Sequence, residues 1–360
     1  MNGVKNSTKC LTLLSELLLP NTSGVELPLS NISPEEMHDL CTLANSHHVI
    51  MRAFPELQRR IATNESAATA EWAEELEGAI ERERARIKYA LPYLELICDT
   101  LAAVGNVVVM KSLDHWPDLG SDLDLFTDTE PVDVIAEMKR NFQARLADRS
   151  WGDRLANKWN FIVPGLPELV EIHVGRLGQT GEQIAVSRSL VARARTIQIG
   201  KYEFRVPAPE ERLIISTLQR MYRHFYIRLC DVVDNAGLVE RGEVDFAYLQ
   251  KLAQSAGLWD GLATYLVIIS DYVRLYRGEG LALPSMATST ARFGGEQIYF
   301  RKKFLRIPVL PHAASLYASE LTRLFLNGEI RNTLRLSLLP GLATAAALEL
   351  KLTGSDKGIW

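Results

Sequence analysis

Two spacings of apolar residues alternate along this chain, and the elements change where one gives way to the other. Leu11 to Leu19 form an apolar run interrupted by Ser15 and Glu16, which predicts an amphipathic helix rather than a signal sequence, although Lys5 and Lys9 precede it. A second helical stretch opens at residue 34. Ser33 or Asn31 serves as its cap, Pro34 suits a first turn, and Glu35 and Glu36 favour the positive end of the helix dipole. Trp72, Leu76, Ile80, Ile87, Leu91, Leu94, Ile97 and Leu101 continue the three-to-four-residue spacing, broken at Pro92 and stopping at Gly105.

The period then shortens. Val107 to Val109 form a β-branched run typical of a buried strand, and Leu123, Leu125 and Phe126 predict a second. A helix is expected over 133–146, with strands at Phe161 to Val163 and Leu169 to Val174. Thr196 to Ile199 and Tyr202 to Val206 flank Gly200 and Lys201 as a two-residue hairpin, so the sheet is expected to hold about five strands. After Pro207 and Pro209 the helical spacing returns. Ile214, Leu218, Met221, Phe225, Leu229 and Val232 fall on one face, after Glu210 and Glu211 in the first turn. Gly, Pro, Ser and Thr concentrate from Gly278 to Gly295, the expected linker. The apolar stretch Leu334 to Leu352 is broken by Arg335, Pro340, Glu349 and Lys351, so no transmembrane segment is expected; it packs as an ordinary helix or makes a peripheral membrane or protein contact.

These patterns predict an α+β fold, a small mixed sheet flanked by helical regions. The expected organisation is an N-terminal helical region (1–105), an α/β core (106–207), a helical region completing the cleft (208–277), a linker (278–295) and a C-terminal helical tail (296–360). A chain of 360 residues, 47% of them hydrophobic, has enough apolar material to fill sizeable cores. Its formal charge of -4 argues against a surface that grips nucleic acid throughout, so any polyanion site must be local. Arg292, Arg301, Lys302, Lys303 and Arg306 supply one basic stretch, suited to a polyanionic partner or to a solvated helix face. Cys10, Cys41, Cys98 and Cys230 are widely spaced without a CxxC pair, which points to a reducing, cytoplasmic setting.

Candidate chemistry centres on Gly120-Ser121-Asp122-Leu123-Asp124-Leu125. Alternation sends Leu123 and Leu125 to the buried face and both aspartates to the other. Two converging carboxylates repel each other unless a cation lies between them, and their hard oxygens suit Mg²⁺, with Mn²⁺ the alternative; a solvated pair at a loop edge is the plainer reading. In Leu169 to Val174, Val170, Ile172 and Val174 face the core, leaving Glu171 and His173 on the far side. Glu171 then completes a metal cluster or serves as a base, and His173 partners a carboxylate. Lys111 ends the valine strand, and nine residues separate Ser112 from Asp122. A returning loop would let Ser112 and nearby amides meet phosphate oxygens and Lys111 neutralise charge, unless Lys111 is only a solvent-facing strand end. Arg220, His224 and Arg228 stand at four-residue steps, with Asp231 three further on; on one helix face they would meet phosphate or acceptor, or leave Arg228 and Asp231 as a surface ion pair. Nucleotide contacts are expected from Lys111, Ser112, Ser121, Arg220, His224 and Arg228. Walker-type, HExxH, GxSxG and GxGxxG signatures are absent.

At these residues the chain resembles the uncharacterised nucleotidyltransferase family of the polymerase-beta-like superfamily, which pairs a Gly-Ser or Gly-Gly turn with a downstream Asp-hydrophobe-Asp and a later carboxylate. Met110-Lys111-Ser112 stands for the turn, Asp122-Leu123-Asp124 for the metal pair and Glu171 for the later carboxylate. Glu171-Ile172-His173, and His224 with Asp231 or Asp234 leading to Val244-Asp245-Phe246, are similar as well. The resemblance spans roughly residues 35 to 255, including Leu43-Ala44-Asn45-Ser46-His47-His48. It departs at the turn glycine, for which Lys111 and Ser112 stand. The resemblance implies Mg²⁺-dependent transfer of a nucleoside monophosphate from a nucleoside triphosphate such as ATP to a hydroxyl or phosphate of a small molecule, protein or RNA, with pyrophosphate released. A non-catalytic binding or regulatory module and a metal-dependent phosphohydrolase are the competing expectations.

Overall fold

Residues 2–20, 33–62, 69–342, 344 and 345 are described by a computed structural model. Four helices come first: α1 (Asn2–Leu18), α2 (Pro34–Ser46), α3 (Ile50–Ala62) and α4 (Thr69–Ala102). In α1 the interrupting Ser15 is buried, its hydroxyl donating to Leu11 O (2.8 Å) and meeting the Tyr272 hydroxyl at 2.7 Å. Ser33 caps α2 in a reciprocal box. Its Oγ accepts from Glu36 N at 3.2 Å, and Glu36 accepts from Ser33 N at 2.8 Å. The alternative cap, Asn31, lies outside the described residues. Pro92 does not break α4, which runs through it; Leu91 and Leu94 are buried while Pro92 lies on the exposed side, where water can satisfy the carbonyl left without a donor.

The α/β part follows as β1 (Val107–Val109), β2 (Leu123–Thr127), α5 (Pro131–Phe142), β3 (Arg145–Leu146), α6 (Trp151–Leu155), β4 (Lys158–Ile162), β5 (Val170–Val174), α7 (Ile184–Arg193), β6 (Arg195–Ile199) and β7 (Tyr202–Val206). The helix expected over 133–146 stops at Phe142. Gln143 takes a left-handed conformation as its C-cap, and Arg145–Leu146 become an edge strand. The five-stranded sheet has order β1-β2-β5-β4-β3; β2 and β5 are parallel and the other neighbours antiparallel. The β6–β7 hairpin forms as expected, turning at Gly200 (φ +60°), but makes a sheet of its own.

The alternation in β2 and β5 is borne out. Leu123, Leu125, Val170, Ile172 and Val174 join the core beneath α4 and α5, built with Leu94, Ile97, Val134 and Met138. The opposite face carries Asp124, Phe126, Glu171 and His173 and is covered by the second helical half, so these polar groups lie at or near the buried level.

That half contains α8 (Pro209–Thr217), β8 (Tyr226–Ile227), α9 (Leu229–Glu240), α10 (Phe246–Ser255), α11 (Trp259–Arg277), α12 (Ser285–Thr288), β9 (Tyr299–Arg301), β10 (Phe304–Arg306), α13 (Ala314–Leu326) and α14 (Ile330–Leu336). The single helix expected after Pro209 is three pieces. Beyond Thr217 the winding widens to a π-helix over Leu218–His224, Phe225 (φ +53°) stops it, and a short strand precedes α9. Segment 278–295, expected as a linker, packs instead. Leu281, Ala287 and Phe293 enter the core shared by the N-terminal helices and α8–α11, and Leu281 N donates to Ser270 Oγ at 2.9 Å. Of the basic stretch, Arg301, Lys302, Lys303 and Arg306 lie in the β9–β10 hairpin rather than on a helix face, with β10 paired to β8, while Arg292 pairs with Asp260 at 2.6 Å. Among the described residues no helix is long and apolar enough to cross a membrane. The apolar C-terminal stretch is described only to residue 345, with Glu349 and Lys351 outside it.

Candidate active site

Asp124 on β2 and Glu171 on β5 are register partners on parallel strands, so their side chains leave the sheet on one face at one level. Asp122 sits one residue before β2, on the same side by alternation. Ser112 holds this corner. Its Oγ donates to Asp122 O (3.0 Å) and accepts from Asp124 N (2.7 Å), while its carbonyl accepts from Gly120 N (3.0 Å). Ser112 is fully buried, so the expectation that its hydroxyl meets phosphate is replaced by a clip that fixes the Asp122–Asp124 backbone. Gly120 packs against this corner so closely that a Cβ there would come within 3.2 Å of Ser112 Cα.

Lys111 takes the left-handed backbone conformation (φ +55°), which costs an ordinary side chain about 1–2 kcal/mol. Its ammonium is not a solvent-facing strand end. It pairs with Asp124 and reaches Glu171 Oε1 at 3.4 Å. Glu171 is held further: Lys158 on β4 approaches Oε2 at 2.9 Å, and His173 Nε2 donates to Oε1 at 2.9 Å. Lys158 also pairs with Asp153 (2.8 Å), which Ser150 fixes at the start of α6.

These contacts set the charges. Burial opposes the charged form of Glu171, but Lys111, His173 and Lys158 together hold it well below the usual carboxylate range. Asp124 goes the other way. Burial, with the charge of Glu171 added, outweighs Lys111 and raises it to about 7. Asp122 is raised by burial and by Glu171, against the pull of Lys111, Lys158 and Arg228. Burial lowers His173 to about 4 despite Glu171, so the ring is neutral and acts as the donor.

The carboxylates open onto a cavity of about 330 Å³. Eight of the nine expected residues line it: Lys111, Ser121, Asp122, Asp124, Glu171, Arg220, His224 and Arg228; Ser112 does not. Arg220, His224 and Arg228 arrive there by separate routes, the π-helical turn carrying the first two and the residue before α9 the third. The surface pair expected between Arg228 and Asp231 is replaced by a buried one. Arg220 Nε lies 2.7 Å from Asp231 Oδ2, and Asp231 also accepts from Arg228 N at 2.7 Å. Burial and the surrounding cations keep His224 well below its usual range.

Lys158, Arg223, His115 and Tyr226 also line the cavity and were not anticipated. Lys158 had a signal: Lys158 and Asn160 alternate with Trp159 and Phe161, but that strand was expected to begin at Phe161. Arg223, three residues after Arg220 and so its neighbour on a helical surface, falls between the four-residue steps of Arg220, His224 and Arg228.

Oxygen donors from Asp124 and Glu171, with a His173 nitrogen, lie within 4.8 Å of one another. The Asp124 and Glu171 carboxylates fit a hard divalent cation once the Lys111 ammonium leaves the gap; Asp122, expected in the metal set, lines the cavity but lies outside this group. No protein-family model matches the chain, and no curated protein matches it.

Proposed function

We propose that the chain is a metal-dependent nucleotidyltransferase that moves a nucleoside monophosphate from a nucleoside triphosphate to an acceptor. The observation that carries this reading is the register of Asp124 with Glu171 beside Asp122, three carboxylates at one end of parallel strands opening onto a cavity with cations on its other walls. Asp122, Asp124 and Glu171 would hold Mg²⁺, which when bound supplies neutralisation of phosphate charge in the transition state. Lys158 and His173 fix the Glu171 carboxylate and keep it ionised, which favours a ligand role over that of a base. Ser112 holds the aspartate corner rigid. Arg223 faces the same space and offers a guanidinium to triphosphate oxygens.

A second reading rests on Lys111, whose ammonium already supplies a cation between Asp124 and Glu171. In that reading the site is self-neutralised and the protein is a non-catalytic binding module. Incubation with Mg²⁺, each of four α-labelled nucleoside triphosphates and cell extract separates the two, with an Asp122→Ala, Asp124→Ala double variant as control. Label on an extract component with the wild type alone supports transfer. Absence of both nucleotide binding and label leaves the binding module.

A further inference from the structure

Resting on the nucleotidyl-transfer reading, we propose that the arginines around Tyr226 form a docking site for a phosphomonoester group on the acceptor. Pairing of β8 with β10 sets Arg306 directly opposite Tyr226. The guanidinium carbons of Arg220, Arg228 and Arg306 then lie 5.5, 5.7 and 5.1 Å from the Tyr226 ring centroid. Phe304 stacks on that ring at 4.3 Å and carries Arg228 and Arg306 at 5.8 and 5.6 Å.

Three cations gather here against one carboxylate. Asp231 serves Arg220, and among the described residues no carboxylate pairs with Arg228 or Arg306. The surrounding histidines do not redress the balance: Arg228 Nη1 donates to His48 Nε2 (2.7 Å), and Leu229 N donates to His47 Nδ1 (2.8 Å), so both rings act as acceptors. Two buried N–H groups are also unmet. Arg220, 1% exposed and lining the cavity, leaves Nη1 without a partner, and Arg228 leaves Nε without one. Buried polar groups rarely stay unmatched, and a guanidinium fork matches phosphate oxygens. A phosphomonoester carries a charge of about -1.5 to -2 at neutral pH, close to the local excess.

Position separates this group from the nucleotide's own phosphates. Asp124, Glu171 and Lys158 stand on the five-stranded sheet, with Asp122 and Lys111 in the turns that flank it, whereas Arg228 and Tyr226 stand on the wall formed by β8 and the start of α9. That wall is near enough for the charge of Arg228 to act on Asp122. An acceptor anchored here by a terminal phosphate would present its other end to the metal site. The deep placement of Arg220 suits a small phosphorylated molecule rather than a polymer backbone.

The test is titration of the full chain with inorganic phosphate and with glycerol 3-phosphate, followed by ³¹P NMR or calorimetry. It is run with and without Mg²⁺ and a non-hydrolysable α,β-methylene ATP, on wild type, Arg306→Gln, Arg228→Gln and Asp122→Asn. Binding by wild type and Asp122→Asn, weakened tenfold or more in both arginine variants and additive with nucleotide, supports the proposal. Arg306→Gln, on a partly exposed hairpin position, keeps the result interpretable if Arg228→Gln fails to fold. Absence of phosphate binding to wild type, equal binding by Arg306→Gln, or displacement of phosphate by the nucleotide analogue overturns it. Arginine-dependent phosphate binding without any Mg²⁺-dependent nucleotide binding overturns the transfer reading instead, and the acceptor role with it.

Discussion

Asp124 and Glu171 face each other in register across β2 and β5, and the ammonium of Lys111 bridges them. Glu171 has Lys158 and the neutral His173 ring as well, whereas among the described residues Asp124 has only Lys111 in salt-bridge reach. The asymmetry explains why one carboxyl is held low and its neighbour rises to about 7. A divalent cation entering here competes with Lys111 for the same oxygens.

Lys111→Met removes the ammonium and keeps most of the side-chain volume. In metal-free buffer it leaves two buried carboxylates facing each other with less compensation, and breaking a buried pair costs about 3–5 kcal/mol. Binding of Mg²⁺ to the vacated gap restores part of that loss by mass action. Thermal melts should show the variant below wild type without metal and a larger Mg²⁺-dependent rise in the variant. Equal metal responses in the two proteins would refute competition between the ammonium and the cation.

Among the described residues Asp122 has no charged partner within salt-bridge distance, and it is partly exposed, so Asp122→Asn should leave stability within about 0.5 kcal/mol of wild type, as substitutions away from packed networks do. Transfer should fall by more than the roughly 10- to 100-fold lost when an outer-sphere metal partner is removed. Single-turnover label transfer beside a urea melt measures both. Activity retained within threefold would remove Asp122 from the metal set.

The acid pair, its strand and the facing Glu171 were legible because alternation with period two leaves little freedom: once Leu123, Leu125, Val170 and Ile172 go inward, Asp124 and Glu171 must share the other face. The π-helical turn was not legible. Apolar residues from Ile214 to Val232 keep a helical spacing across the Phe225 break, and nothing local marks where an α-helix widens. Pro92 misled in the opposite sense, since its effect depends on which side of α4 it faces. The sequence places Lys111 as a cation near phosphate or as a solvent-facing strand end, but its pairing with Asp124 is a tertiary fact that depends on the left-handed turn between β1 and the aspartate loop.

Arg220 and Asp231 form a buried pair, 2.7 Å apart, with Asp231 also holding the first turn of α9 through Arg228 N. Asp231→Ala strands a buried guanidinium and should cost about 3–5 kcal/mol in urea unfolding. An Arg220→Met, Asp231→Leu double variant should recover much of that loss, because it removes both charges together. A single-variant cost below about 0.5 kcal/mol, the range of ordinary surface substitutions, would show that the pair is solvated rather than structural.

His115 gives the fold a pH dependence of defined sign. Its Nδ1 donates to Asp234 Oδ2 at 2.5 Å, its Nε2 lies 3.7 Å from Cys230 Sγ, and its ring stacks on His48 at 5.6 Å. Arg52 holds the other Asp234 oxygen at 2.6 Å. Burial opposes the charged ring, but Cys230 and Asp234 outweigh it and raise His115 to about 10. The folded state therefore keeps a proton that the unfolded chain releases near pH 6.5. This contribution is fully present below that pH and is lost as pH rises through about 10, at no more than about 1.4 kcal/mol per pH unit. Urea unfolding between pH 6 and 10 should show wild type losing stability faster than His115→Gln, with the two curves converging at the alkaline end. Parallel curves over that range would mean that His115 is not charged in the folded protein.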